Sequence, residues 1–360
     1  MLKKLFMLTV GLVIAAVVSF YAFKGWLSEI VPSAQQVAEL KQTKMHDIPY
    51  LVDGDVEYRG KILAVVTNVG EFAGGNKTGY ELTELARAYW VFKANGFNVD
   101  IASPEGGEPP VVLDGDDMGR FDYAFLNDPV AQSKSANTLL LKDINPLDYQ
   151  AVYFVGGKGA MFDFPNNPSI KTIAKELYQN NRVVSAVCHG PAALLNVVLD
   201  TGELLVANKT ISGFTNEEEL LLIPDAREIF PFLLEDKLIA QGANFSEGLN
   251  YLEHISHDGK LITGQNPWSV WKLAESVVEE LGYAVKPRAL TQEEHSILLV
   301  QLFHEQGIEA AKQQIFAQPQ HYVPLTILTH ALVAFMQFEI SQGIALVKLT
   351  NILKNQLDPT

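Results

Sequence analysis

Between Tyr58 and Lys286 short apolar runs alternate with stretches of helical periodicity. That alternation is the signature of a parallel sheet flanked by helices. Lys61 to Thr67 (KILAVVT) reads as a buried strand, Leu82 to Asn95 as a helix closed by Gly96, and Phe97 to Ala102 as a strand. Ala151 to Val155 (AVYFV) is another strand and ends in Gly156 and Gly157. A helix from Ser169 to Asn180 leads into the strand Arg182 to Val187, which runs straight into Cys188. His189, Gly190 and Pro191 follow, then the helical run AALLNVV. The pattern predicts the α/β class, with a doubly wound, mostly parallel sheet.

The two ends of the chain read differently. Leu5 to Phe23 holds no charge and follows Lys3 and Lys4; as a helix it reaches about 30 Å, the thickness of a hydrocarbon core. It is expected to be a transmembrane signal anchor over residues 1–26, with a cleaved signal peptide as the competing reading. The lysine pair ahead of it favours a single-pass membrane protein with its catalytic domain on the periplasmic or extracytoplasmic side. Residues 27–57 read as a linker with a short helix around Gln35 to Gln42, and 58–286 as the α/β domain. Residues 287–360 form a helical C-terminal extension. Thr291 and Glu294 have capping-box spacing, Ile297, Leu298, Leu302, Ile308, Ala311 and Ile315 recur at helical intervals, and Gly307 and Gly343 punctuate the run. This extension is either an interaction or dimer-packing module or a helical cap on the main domain. Leu325 to Met336 is too short for a second span.

Composition narrows the function classes. The 360 residues are 48% hydrophobic and 19% charged, which excludes disorder and a collagen-like chain. A net charge of −15 disfavours phosphate backbones, so nucleic acid is not an expected partner. No metal is expected, because His295, His304, His321 and His330 lack ligand spacing, and His254 and His257 lack a third ligand. Cys188 is the chain's one cysteine, so it has no partner for an internal disulfide. At a tight bend between strand and helix its side chain projects clear of the sheet, and the next helix aims free N–H groups at it. The sequence therefore predicts a thiol with a lowered pKa, nucleophilic near neutrality. The glycine turn at Gly156, Gly157 and Gly159 could bring N–H groups to the same crevice and help hold an oxyanion, with Gly157 and His189 as the backbone donors.

Several motifs resemble one family. AVCHGP (Ala186 to Pro191) is similar to the nucleophile motif of the PfpI-type superfamily, in the branch of heat-shock chaperones with glyoxalase III activity. KTGYELTELARAYWVFKANGFNVDIASPEGG (Lys77 to Gly107), GGKGAMFDFP (Gly156 to Pro165), ISGFTNEEE (Ile211 to Glu219) and DGKLITGQNP (Asp258 to Pro267) resemble its other segments, in the same order. The resemblance implies a flavodoxin-like, class I glutamine-amidotransferase-like fold, usually a homodimer. It implies catalytic roles for Cys188, for His189 beside it, for Glu84 contacting the thiol, and for Glu219 orienting the histidine. Glu217 and Glu218 are neighbouring candidates for that last role. Lys158 stands where close relatives usually carry a histidine.

The implied activity is a cofactor-free glyoxalase III or deglycase-like reaction on small reactive carbonyls or glycated proteins, with Cys188 forming a hemithioacetal. Amide or peptide hydrolysis by the same thiolate is the alternative enzyme, and a chaperone or redox-stress sensor the non-enzymatic one. The C-terminal helices leave room for a protein partner.

Overall fold

The computed structural model describes residues 21, 24–54, 56–72, 74–115 and 117–357. They divide into two compact units: Gln42–Leu290, and the described residues of Met1–Lys41 together with those of Thr291–Thr360.

The first unit is built on a seven-stranded sheet. Its strands are β1 (Gly60–Val65), β2 (Phe97–Ser103), β3 (Leu139–Leu140), β4 (Ala151–Phe154), β5 (Val183–Val187), β6 (Ile255–Asp258) and β7 (Leu261–Gly264). They lie in the order β6-β7-β5-β4-β1-β2-β3, and every pair is parallel except β6 with β7. Strands covered on both faces are apolar throughout, and Ala151–Phe154 and Val183–Val187 are buried at every position. Two helices carry much of that cover: α1 (Leu82–Ala94) and α2 (Pro168–Gln179). Burial of all of α1 but Lys93 explains why its sequence shows no wide polar face. Asn167 caps α2 by accepting from the N–H groups of Ser169 and Ile170, with Pro168 in the first turn. The α/β expectation is met, and the strands fall within two residues of their sequence-derived bounds.

One expected element takes another form. The run after Cys188 is a 3-10 helix of five residues, Gly190–Leu194, all buried, rather than an α-helix. Asn196 halts it in the left-handed conformation, φ 59°.

The membrane anchor is corrected. Among the described residues no helix is long and apolar enough to cross a membrane. The most apolar of them, Pro324–Met336, has 13 residues, about 20 Å against the ~30 Å required. Of the expected span Leu5–Phe23, only Tyr21 lies among the described residues. The single-pass anchor is therefore unsupported, and so is the extracytoplasmic placement drawn from it. Membrane contact through an N-terminal helix falls with it; for the expected homodimer, no interface is evident in this single chain.

In the second unit, α-helices follow one another from Thr291: Gln292–Gln306, Ile308–Ala317, Pro324–Met336 and Ile340–Leu357. Thr291 and Glu294 form the capping box that their spacing predicts, with Thr291 Oγ1 accepting from Glu294 N–H at 3.1 Å and Glu294 Oε2 from Thr291 N–H at 2.9 Å. Gly307, at φ 83°, ends the first helix and opens the second. Leu346, Leu349 and Leu353 bury one stripe of the last helix.

Candidate active site

Cys188 continues the line of β5, its N–H donating to the Gly264 carbonyl at 3.0 Å. It then turns sharply, with φ 56°, a left-handed conformation that a non-glycine residue adopts only when its surroundings hold it there. The surroundings are close. Gly190 packs on the end of β4 so tightly that a β-carbon there would collide with the Phe154 carbonyl. At Gly156 a β-carbon would lie 2.5 Å from Glu84 Oε2, 2.7 Å from the Val187 carbonyl and 2.8 Å from Cys188 Cβ. Both glycines are required by close approach.

Two side chains meet the sulfur, and a third holds one of them. Cys188 Sγ lies 3.3 Å from His189 Nδ1, and His189 Nε2 lies 2.6 Å from Glu219 Oε2. On the other side the Glu84 carboxyl meets the thiol. Glu84 Oε2 accepts from the Gly156 N–H at 2.7 Å, while Oε1 is buried with no nitrogen or oxygen partner. Glu84 sits in the first turn of α1 and is fully buried. Glu219 arrives on α3 (Asn216–Leu222), which docks on the elbow through a bond from the Phe214 N–H to the Cys188 carbonyl, 2.8 Å. The Phe214 ring lies against the imidazole with centroids 4.7 Å apart.

The electrostatics reverse one expectation. Burial raises the Cys188 thiol well above its ordinary pKa, and the charges of Glu84 and Glu81 push it further; Lys158 works in the opposite direction. The predicted lowering required a helix of useful length behind the bend, and five residues of 3-10 helix do not provide one. Glu84 is likewise raised, first by burial and then by Glu81. The two groups are coupled, since two adjacent buried anions repel. Sulfur and carboxyl therefore hold at most one negative charge between them, and when that charge sits on sulfur the protonated Glu84 is a hydrogen-bond donor to it. Burial works to raise Glu219, but the charge and hydrogen bond of His189 outweigh it and hold that carboxyl below its ordinary value.

Cys188, His189, Glu84 and Glu219 are thus brought together. Of the three consecutive glutamates, Glu217 is exposed and Glu218 faces away into its own buried hydrogen-bond network. Among the described residues, neither the Gly157 nor the His189 N–H donates to a backbone carbonyl, which suits both to an incoming oxygen. The sequence reading missed Glu81, which burial raises to about 7 against the opposing charge of Lys158. It also missed Phe214 and Tyr251. Glu81 lies in the same TGYELTE motif as Glu84, so proximity in sequence was an available signal; for Tyr251 there was none.

A lone buried thiol at a strained strand end, with a histidine–carboxylate pair on one side and a carboxyl on the other, defines a cysteine-centred site on an α/β sheet. The sequence pattern of the DJ-1/PfpI family matches residues 76–219. The chain is 34% identical over 236 residues to Glyoxalase 3 of Candida albicans, a match covering 61% of this chain and 97% of that protein. It is 32% identical over 238 residues to glutathione-independent glyoxalase HSP31 of Saccharomyces cerevisiae, with 61% and 98% covered. Among solved structures, it is similar to the Rapid Encystment Protein 24 kDa of Francisella tularensis, with TM-score 0.60 and 33% identity, covering 62% of this chain and 100% of that one. Glyoxalase III of Candida albicans gives TM-score 0.56 and 29% identity, over 61% of this chain and 97% of that one. The chain belongs to the DJ-1/PfpI family, in its glyoxalase III and HSP31-like branch, and so to a family that includes enzymes with a cysteine nucleophile.

Proposed function

We propose that the chain is a glutathione-independent glyoxalase that converts small 2-oxoaldehydes to 2-hydroxy acids with Cys188 as nucleophile. The observation that carries this is the contact between the Cys188 thiol and a fully buried Glu84 carboxyl. A protease-like triad has no use for such a group. The reaction has a use for it, because a hydrogen must leave one carbon as a proton and return to the next.

In this reading the sulfur adds to the aldehyde carbon of methylglyoxal while its proton, held by Glu84, passes to the new alkoxide. The product is a hemithioacetal and an ionised Glu84. The oxygen lies toward the N–H groups of Gly157 and His189. Glu84, whose burial makes it an unusually strong base for a carboxylate, takes the carbon-bound proton and delivers it to the neighbouring carbon. His189, oriented by Glu219, moves the oxygen-bound proton from the first oxygen to the second. The resulting thioester of lactate is cleaved by water, which restores the thiol and releases lactate. The sum is methylglyoxal plus water to lactic acid.

The test is lactate release from methylglyoxal by the full chain. Wild type is expected to turn over, Cys188→Ala to be inert, and Glu84→Gln to lose about a hundredfold or more in kcat. Equal inactivity of all three overturns the proposal. A second reading, amide or peptide hydrolysis, is favoured by the chain of bonds from Cys188 through His189 to Glu219. It predicts amide turnover that survives Glu84→Gln and is lost in His189→Ala.

A further inference from the structure

Tyr251 has φ 56°, a left-handed conformation that a bulky residue seldom enters. Two hydrogen bonds from one residue hold it there. Its N–H donates to Glu218 Oε1 at 2.7 Å, and its phenol O–H donates to the Glu218 carbonyl at 2.6 Å. Its ring meets Phe214 edge-on, centroids 6.2 Å apart, and Phe214 in turn lies against His189. Burial raises the phenol, and the charges of Glu218, Glu219 and Cys188 raise it further, so the ring lies within electrostatic reach of the sulfur. His189 and Phe214 are buried while Tyr251 is half-buried, so Tyr251 is the ring of this row that meets solvent.

Glu218 itself is fully buried and joins three segments. Its Oε1 also accepts from Gln265 Nε2 and Asn266 Nδ2, each at 3.0 Å. Its Oε2 accepts from the Thr215 N–H at 3.1 Å and closes the capping box of α3, the helix that carries Glu219. One carboxylate thereby fixes the start of α3, the turn bearing Tyr251, and the residues that follow β7. A strained aromatic conformation held by a buried anion is a pre-organised one.

We propose that Tyr251 is the specificity-determining wall of the site and Glu218 the positioning residue that holds it, so that the space over Cys188 admits small aldehydes and excludes those with an aromatic substituent. The substrate class rests on the glyoxalase reading; the wall does not. Cys188 is the chain's one cysteine, so thiol-directed reagents report on this site alone. In the full chain, alkylation rates with iodoacetamide and with N-phenylmaleimide are compared, alongside turnover of methylglyoxal and phenylglyoxal. Tyr251→Ala is expected to raise the phenylmaleimide-to-iodoacetamide rate ratio about tenfold, and Glu218→Gln to raise it at least about threefold. Tyr251→Phe, which keeps the ring but loses the phenol's bond to the Glu218 carbonyl, is expected to raise the ratio less than Tyr251→Ala does. Should Glu218→Gln fail the circular-dichroism check for folding, Glu218→Asp, which draws the carboxylate back by one methylene, is expected to shift the ratio in the same direction. An unchanged ratio in folded Tyr251→Ala overturns the wall, and an unchanged ratio in a folded Glu218 variant overturns the positioning role. If wild type turns over neither aldehyde but the ratio still depends on Tyr251, the wall stands and the glyoxalase reading falls.

Discussion

At Cys188 burial and charge oppose the anion that nucleophilic attack requires. The thiol is raised by desolvation and by the negative charges of Glu84 and Glu81, so thiolate accumulates only when Glu84 carries the shared proton. The sign of one pH effect follows. Ionised Glu84 disfavours thiolate, so Glu84→Gln removes a repulsion and lowers the thiol pKa even as it abolishes proton transfer. The rate of Cys188 alkylation by iodoacetamide, followed against pH, is expected to rise at lower pH in Glu84→Gln than in wild type, by about one unit. A profile displaced toward higher pH would mean that Glu84 chiefly supports the thiolate as a hydrogen-bond donor. Sequence spacing alone did not carry this, because the Cys–Glu contact joins residues on different elements and its effect depends on the absence of water around both.

Among the elements, the one that delivers Glu219 is a short helix whose start is over-determined. Thr215 Oγ1 accepts from the Glu218 N–H at 3.0 Å, and Glu218 returns the bond. Thr215→Ala is expected to cost about 1 kcal/mol of stability. It should also lower kcat more than it raises KM, because the loosened helix end misplaces the Glu219–His189 pair rather than the substrate; thermal unfolding and steady-state kinetics measure the two effects. The junction of β4 and the glycine turn is less forgiving. Gly156→Ala puts a methyl group into Glu84 Oε2, the Val187 carbonyl and Cys188 Cβ at once. A loss of about 1–3 kcal/mol is expected in denaturant unfolding, together with loss of turnover. The strands on either side were legible from their continuous apolar runs. The 3-10 form of Gly190–Leu194 was not, since an apolar run flanked by proline has the same appearance in either helix type. The helices Arg120–Leu126 and Pro129–Ala136 were hidden for a related reason: the stretch from Leu113 to Lys142 has poor periodicity, and its helices are too short to establish one.

At the scale of the whole molecule, the described residues divide into two compact units. Leu346 is fully buried in the last helix, so Leu346→Ala is expected to destabilise the helical unit by about 2–5 kcal/mol, read as faster hydrogen exchange of amides between 292 and 357. What the sequence by itself determined was local and periodic. It specified the alternation of buried strands with helices, the bend at Cys188, the capping box at Thr291 and, through motif likeness, Glu84, His189 and Glu219 as residues of interest. These are legible because period, capping and turn chemistry leave marks within a few neighbouring positions. Tertiary structure decided what depends on distant segments meeting. It selected Glu219 over Glu218 for the imidazole, gave Glu218 to Tyr251, and set Glu81 behind Glu84. It also turned an expected acidic thiol into a buried one that shares its proton. The reason is physical: a carboxyl's role and a thiol's proton affinity follow from the dielectric and charges around them, and those are assembled from strands and loops far apart in the chain.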